Sequence, residues 1–343
     1  MPLIARTIQW LLVAAVVAAA CPEPALADGT VRIKLGTIAP RGSKYHRTLQ
    51  EMGEAWRRAE GPGAEFIIYT DGSQGSEVDM VRRMRVGQLN AAAMSVIGLS
   101  EIDPAVGALQ KMPLAFRSWE EVAYVSQALH PVLESRLREK GFVVLLWLEA
   151  GWVRFFSTQP GAHPDDFRTR KVFAWAGDGE QVELMKRLGY RPVVLETADI
   201  FPGLQTGLID TVPVTAMWAL ATQVDRLAPY MVDIKWAPIV GALVVTRKSW
   251  DAMTPAGRDA LTAAARAAAA DLHSHQVRAE EEAVAAMKKR GLTVQPLDPE
   301  LEAAWRRLAE GSYPMLRGRT VPAETFDEVL RLLAEYRNTT PKR

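Results

Sequence analysis

The sequence predicts an α/β fold in which two α/β blocks form two tightly joined lobes. Short apolar or β-branched runs alternate with helical patterns along the chain, and this alternation is typical of parallel strands covered by helices. No Pro/Ser-rich spacer separates the two blocks, which join at 149–151. The length of 343 residues fits about two domains, because one domain takes roughly 150 residues.

The composition excludes several classes of protein. Hydrophobic residues make up 48% and charged residues 24% of the chain, which is ordinary for a globular protein and excludes disorder as the main state. A formal net charge of +1 argues against electrostatic binding to nucleic acid or to an anionic membrane. The single cysteine excludes an internal disulfide framework and a cysteine-only metal site.

Residues 1–27 have the features of a secretory signal peptide. Arg6 gives a positive start, residues 8–20 are almost entirely apolar, and Ala25-Leu26-Ala27 fits the A-x-A cleavage pattern. The apolar run is shorter than the roughly 20 residues that a transmembrane helix needs. We therefore expect cleavage before Asp28 and a periplasmic location.

Cys21 allows two outcomes for the N-terminus. It follows three alanines that partly resemble a lipoprotein cleavage box, and lipidation there would anchor the protein to a membrane face. The alternative is removal with the signal peptide, which Ala18 favours because a lipoprotein box usually has leucine at that place. Removal would leave no cysteine, which suits an oxidising compartment.

The first block reads as alternating strands and helices. Residues 31–36 alternate as in a strand, and Ser43 can cap a helix that places Leu49, Met52 and Trp56 on one face. The elements predicted after this helix are a strand at 65–70, a helix at 77–85, a strand at 91–96, one or two helices at 119–140 and a buried strand at 142–148.

The second block repeats this alternation and is followed by helices. Its predicted elements are strands at 171–175, 192–195, 211–214 and 236–246 and helices at 179–188, 199–207 and 217–227. Thr254 and Pro255 then begin a long alanine-rich helix, which Gly291 ends. Helices at 299–310 and 322–336 close the chain before a polar, frayed tail at 338–343.

The chain lacks the sequence patterns of catalysis. It contains no G-x-S-x-G elbow, no P-loop and no G-x-G-x-x-G. His273 and His275 are close in sequence, but at i and i+2 of a helix they point to different faces and make a poor metal pair. Residues 280–282 read as a solvated helix face. We therefore predict no catalytic residue, no metal and no cofactor.

The chain is enriched in tryptophan, with ten residues of this type. Five lie at or just after predicted strand ends: Trp147, Trp152, Trp175, Trp218 and Trp236. In open α/β sheets ligands bind outside the carboxyl ends of strands, where aromatic side chains can line a pocket. We expect at least two of the five to line a cleft and the others to lie in the core or between the lobes.

Several segments, in order and spacing, carry a resemblance to a known family: 35–56, 75–77, 85–89, 164–172 and 204–210. Over about residues 30–337 the chain resembles the periplasmic solute-binding proteins of TRAP (tripartite ATP-independent periplasmic) transporters, the DctP-like family. The resemblance implies a two-lobed fold of mixed sheets covered by helices, with a long helix connecting the lobes. It implies closure on a ligand like a hinged clamp, and delivery to membrane permease subunits driven by an ion gradient.

The expected organisation places lobe I at 28–150 and about 238–275. Lobe II comprises 151–237 and about 276–337. Two alternatives to a transport protein remain, a periplasmic hydrolase on a two-lobed scaffold and a ligand sensor for a membrane receptor.

The sequence departs from the family at the ligand anchors. Phe173 stands where the family usually places its carboxylate-binding arginine, and Arg154 comes one residue later than a second common arginine. One residue later in a strand means the opposite face. An acidic or amide side chain that contacts the ligand in many family members aligns near Ser95. The resemblance with these departures implies an organic acid with a substantial apolar part and no tight binding of C4 dicarboxylates. In the alternative, Phe173 only packs and Arg154 is the anchor.

The predicted site combines aromatic residues that stack with Ser95 and Thr215, which would orient polar groups. Its residues are Pro40, Ser43, His46, Ser95, Trp152, Arg154, Phe173, Trp175, Thr215, Trp218 and Trp236.

Overall fold

The computed structural model describes residues 31–339, except for the side chains of 275–277. The predicted signal peptide with Cys21, and residues 340–343 of the predicted tail, lie outside the described residues.

Strands and helices alternate through the first half of the described chain. The bounds are β1 (Arg32–Thr37), α1 (Lys44–Glu60), β2 (Glu65–Tyr69), α2 (Glu77–Arg85), β3 (Ala91–Ser95), α3 (Val96–Ile102), α4 (Trp119–Glu139) and β4 (Phe142–Ser157). A 3₁₀ segment, Pro104–Leu109, connects α3 to α4. Ser43 caps α1 by accepting a hydrogen bond from the His46 backbone N–H, as the sequence predicts.

The second half continues the alternation and ends in helices. Its elements are β5 (Lys171–Trp175), α5 (Gly179–Arg187), β6 (Arg191–Leu195), α6 (Ile200–Gln205), β7 (Thr211–Thr215), α7 (Ala216–Thr222), β8 (Tyr230–Val232), β9 (Pro238–Thr246), α8 (Arg247–Ala252), α9 (Pro255–Lys288), β10 (Thr293–Gln295), α10 (Pro299–Leu316) and α11 (Ala323–Thr339). Shorter 3₁₀ segments are Pro164–Phe167, Thr197–Asp199 and Val224–Arg226.

The strands form a mixed sheet in the order β2-β1-β3-β9-β4-β7-β5-β6. One half is β2, β1, β3, β9 and the start of β4, and it is the centre of lobe I. The other half is the end of β4 with β7, β5 and β6, joined by β8 and β10, and it is the centre of lobe II. The strands β1, β2 and β3 are parallel, as are β5, β6 and β7, whereas β9 and β4 run antiparallel to their neighbours. The α/β class and the two lobes are as predicted.

Strand β4 passes through both halves of the sheet. Its first part pairs with β9 and its second part with β7. The sequence predicts that this strand ends at 148 and that 149–151 is the junction of the two blocks. Instead the register shifts between Glu149 and Trp152, where Gly151 has φ +106°. A glycine with positive φ can mark a bulge within a strand as well as the end of a strand. Here it marks a bulge, and β4 bends and continues.

Lobe I has three layers. On β3 the side chains alternate, so that Ala92 and Met94 face the core with α2, α3 and α4, while Ala91 and Ala93 face the core with α1 and α9. The small side chains of β3 let helices approach both faces of the sheet. Helix α9 contacts α1, β4 and α7, which confirms the long helix connecting the lobes.

The last helix belongs with lobe I, in contrast to its predicted place in lobe II. Phe326, Val329 and Leu333 of α11 lie in the same core as α4, and Arg337 pairs with Glu121 of α4 at 2.7 Å. The helix also extends to Thr339, into the predicted tail. Periodicity in a sequence identifies the apolar face of a helix but not the sheet that this face covers, so the prediction followed chain order.

Candidate ligand-binding site

A cavity of about 330 Å³ lies where strand ends of both lobes meet. Lobe I contributes the turn after β1, the end of β3 and the start of α2, and lobe II contributes the ends of β5 and β7 and the turn after β6. Its wall is mainly apolar, with Met94, Leu146, Leu148, Met217 and Ile239 among the side chains. The predicted location at carboxyl ends of strands is therefore the location of the cavity.

Six of the predicted site residues line this cavity: Pro40, Ser43, Ser95, Trp175, Thr215 and Trp218. Trp175 ends β5, and Trp218 lies in the first turn of α7. The two rings meet edge to face, with centroids 6.3 Å apart. With Tyr45 they form the aromatic part of the wall, and they are two of the five tryptophans that the sequence places at strand ends.

Phe173 and Trp236 line a second, smaller cavity of about 130 Å³. It shares part of its wall with the first, including Trp175 and Ile97. Phe173 is fully buried and packs edge-on against Trp175, with centroids 4.7 Å apart. Phe173 thus supports the wall of the main cavity from behind rather than forming it.

His46 and Trp152 line neither cavity. The His46 Nδ1 accepts a hydrogen bond from the Gly42 backbone N–H at 3.0 Å and so closes the turn before α1. Trp152 is 1% exposed and packs against Trp119 of α4, with centroids 4.9 Å apart. The bulge that precedes Trp152 in β4 changes the face to which this residue points. A prediction that assumes regular alternation of side chains beyond residue 148 therefore assigns Trp152 to the wrong face.

Arg154 is also outside both cavities and is held by ion pairs within the protein. Its Nε lies 3.2 Å from the carboxylate of Glu280 on α9, and its Nη1 pairs with Asp233. The side chains of Arg154 and Glu280 are only 11% and 6% exposed. Burial raises the pKa of Glu280, and the guanidinium opposes that shift. Arg154 therefore fastens β4 to α9.

Three charged residues occur among the described residues of the main cavity wall: Lys44, Glu77 and Glu196. Lys44 pairs with Asp271 of α9. Glu77 is buried and accepts hydrogen bonds from the Ser95 N–H at 2.7 Å, the Ser95 hydroxyl at 2.5 Å and the Gly98 N–H at 3.1 Å. Burial raises the pKa of Glu77 despite these bonds. The sequence does not indicate that Glu77 faces a cavity, because a glutamate in the first turn of a helix usually interacts only with that helix.

The hydroxyl groups expected to orient a ligand are engaged by the backbone. Ser95 caps α3, and Thr215 caps α7 by accepting from the Trp218 N–H at 3.3 Å. The Tyr45 hydroxyl donates to the Glu149 carbonyl at 2.5 Å, and burial is the main cause that raises its pKa. The Ser95, Thr215 and Tyr45 hydroxyls are thus engaged within the protein, whereas Thr48 Oγ1 and Trp218 Nε1, also of wall residues, have no hydrogen-bond partner in the described structure.

Contacts between the lobes close the site next to Trp175. Lys111 of lobe I lies 3.5 Å from Asp178 of lobe II, and their side chains are 12% and 3% exposed. Gly177, next to Asp178 in the chain, has φ +93°. A Cβ on this residue would lie 2.8 Å from the Val78 side chain of α2. Only glycine allows the two backbones to approach this closely.

The described residues form neither a metal-binding cluster nor a membrane-spanning helix. No group of three or more His, Cys, Asp or Glu side chains within 31–339 is arranged to hold a metal ion. In the same part of the chain, no helix combines the length and the apolar character needed to span a bilayer.

Comparison with known proteins identifies the family. The sequence profile of the bacterial extracellular solute-binding proteins, family 7, also named DctP, matches residues 35–317. The chain belongs to this family. Family 7 proteins are binding proteins and not enzymes, so the hydrolase alternative is set aside. The chain is an extracytoplasmic solute receptor of the kind that serves TRAP transporters, and it works with membrane permease components.

Relatives of this family 7 protein are distant in sequence and close in fold. The C4-dicarboxylate-binding periplasmic protein DctP of Rhodobacter capsulatus is 22% identical over 96% of this chain and 99% of its own. A TRAP solute-binding protein of Shewanella oneidensis, solved with succinate, has a TM-score of 0.80 at 15% identity, over 89% of this chain and all of its own. DctP7 of Bordetella pertussis, which binds pyroglutamic acid, has a TM-score of 0.79 at 16% identity, over 88% and 99%.

Proposed function

We propose that this family 7 protein captures a small organic solute with a substantial apolar part and delivers it to the ion-gradient-driven permease of a TRAP transporter. The observation that carries the proposal is the position of the main cavity. Its wall is built from strand ends of both lobes and is mainly apolar. A ligand there touches both lobes at once, so its binding energy favours the closed arrangement.

The proposed hinge follows from the connections between the lobes. Lobe I comprises 31–150, about 238–275 and α11, and lobe II comprises 151–237 and the residues from about 276 to the start of α10. Strand β4 and helices α9 and α10 cross between them. We further propose that residues 1–27 are removed on export to the periplasm, and that Cys21 leaves with them.

Closure on ligand gives the test of this function. Small-angle scattering would compare the protein purified from a periplasmic fraction with the same protein after partial unfolding and dialysis to strip its ligand. We expect a larger radius of gyration for the stripped protein, because the lobes separate when the ligand no longer joins them. Identical scattering profiles from a sample shown to hold ligand and from its stripped form would contradict capture by closure.

A further inference from the structure

The charges around the main cavity are arranged unfavourably for an anion. No arginine or histidine is found among the described residues of the wall, and Lys44 is its single cation there. The ammonium of Lys44 already pairs with Asp271. Glu77 and Glu196 add two carboxylates to the wall. A carboxylate ligand would therefore meet more negative than positive charge.

The two carboxylates of the wall differ in their surroundings, but neither offers a donor to a ligand anion. Glu77 accepts three hydrogen bonds, from two backbone N–H groups and one hydroxyl. These bonds offset the cost of burying its carboxylate and leave none of the three donors for a ligand anion. Glu196 lies near Asp79 and Asp199, and burial together with these neighbours raises its pKa. A ligand carboxylate beside Glu196 would add to this repulsion between like charges.

We propose that the ligand of this site is an uncharged, mainly apolar molecule, held by apolar and aromatic contacts rather than by a charge pair. The proposal rests on the proposed function and names the class of its solute. The wall around Leu146, Leu148 and Ile239 supplies apolar area, and Trp175 and Trp218 supply aromatic faces and edges. The proposal replaces the carboxylate of the predicted organic acid with a neutral head group and keeps the predicted apolar part.

The test compares head groups at equal chain length. Stripped protein is titrated calorimetrically at pH 7.5 with hexanoate and octanoate, with hexanamide and octanamide, and with hexan-1-ol and octan-1-ol. We expect the amides and alcohols to bind at least tenfold more tightly than the alkanoates. Within the neutral series each added methylene should raise the affinity about fourfold, since burying a methylene contributes about 0.8 kcal/mol.

A charge reversal in the wall makes the test sharper. Glu196→Lys places a cation at an exposed edge of the cavity, so it should raise the ratio of alkanoate affinity to alcohol affinity about tenfold. Glu54→Lys, on the exposed face of α1 and outside the wall, is the matched control and should change neither.

The outcomes separate this proposal from the proposed function. Tighter binding of the alkanoates than of the amides and alcohols by the wild type would overturn the uncharged ligand, and so would a complete lack of binding by the neutral series. Either result leaves closure on a solute intact, because the scattering comparison uses the ligand that the protein carries.

Discussion

Replacing Arg154 by alanine is expected to destabilise the folded protein by about 3–5 kcal/mol. The change leaves the buried carboxylate of Glu280 without its guanidinium, and it releases the contact between β4 and α9. Urea unfolding followed by circular dichroism measures the free energy of unfolding directly. This expectation differs from the role of ligand anchor, in which the loss would appear in binding and not in stability.

A double variant controls for lost packing. Arg154→Met with Glu280→Leu removes both charges and keeps apolar volume at the site, so it should recover most of the stability that Arg154→Ala loses. An unfolding curve of Arg154→Ala that coincides with the wild type, together with lost ligand binding, would contradict the structural role and restore Arg154 as an anchor.

Gly241→Ala is the second substitution with a large expected effect. Gly241 lies on β9 between Ser95 of β3 and Leu148 of β4, at the wall of the main cavity. A Cβ there would lie nearer than 3.0 Å to the backbone carbonyl oxygen of Met94, and a strand backbone cannot move aside easily. We expect a loss of about 1–3 kcal/mol in the free energy of unfolding, and weaker ligand binding because Ser95 and Leu148 shift.

The matched control is a glycine-to-alanine substitution at a position where the added methyl group meets no other atom. Gly311 lies in α10, and a Cβ there meets nothing within 4 Å. Gly311→Ala should therefore stabilise the protein by about 0.5–1 kcal/mol, because glycine is costly inside a helix. Equal unfolding free energies for Gly241→Ala and the wild type would show that β3 and β9 are not packed as closely as described.

Local patterns predicted most elements of the fold. The bounds of β5 coincide with the predicted 171–175, and α9 begins at Pro255 as its cap and proline indicate. The strands β8 and β10 were missed because each has three residues, too few for a period to show. The placement of α11 was missed because it depends on contacts between residues far apart in sequence.

The site could be predicted in outline only. The principle that ligands bind at strand ends pointed to Trp175 and Trp218, and the family resemblance pointed to Ser95; all three line the main cavity. It did not locate Trp152, because a bulge changed the direction of that side chain. Nor did it show that Glu77 faces the cavity, since this position results from α2 packing against the end of β3.

Native mass spectrometry of the protein purified from a periplasmic fraction tests the central account most directly. We expect the wild type to carry one small organic molecule that is released on unfolding. Ala150→Phe fills the main cavity and should carry none, whereas Ala267→Phe, on an exposed position of α9 away from the wall, should carry as much as the wild type. A wild type without bound solute, or equal occupancy in Ala150→Phe, would contradict capture of a solute in this cavity.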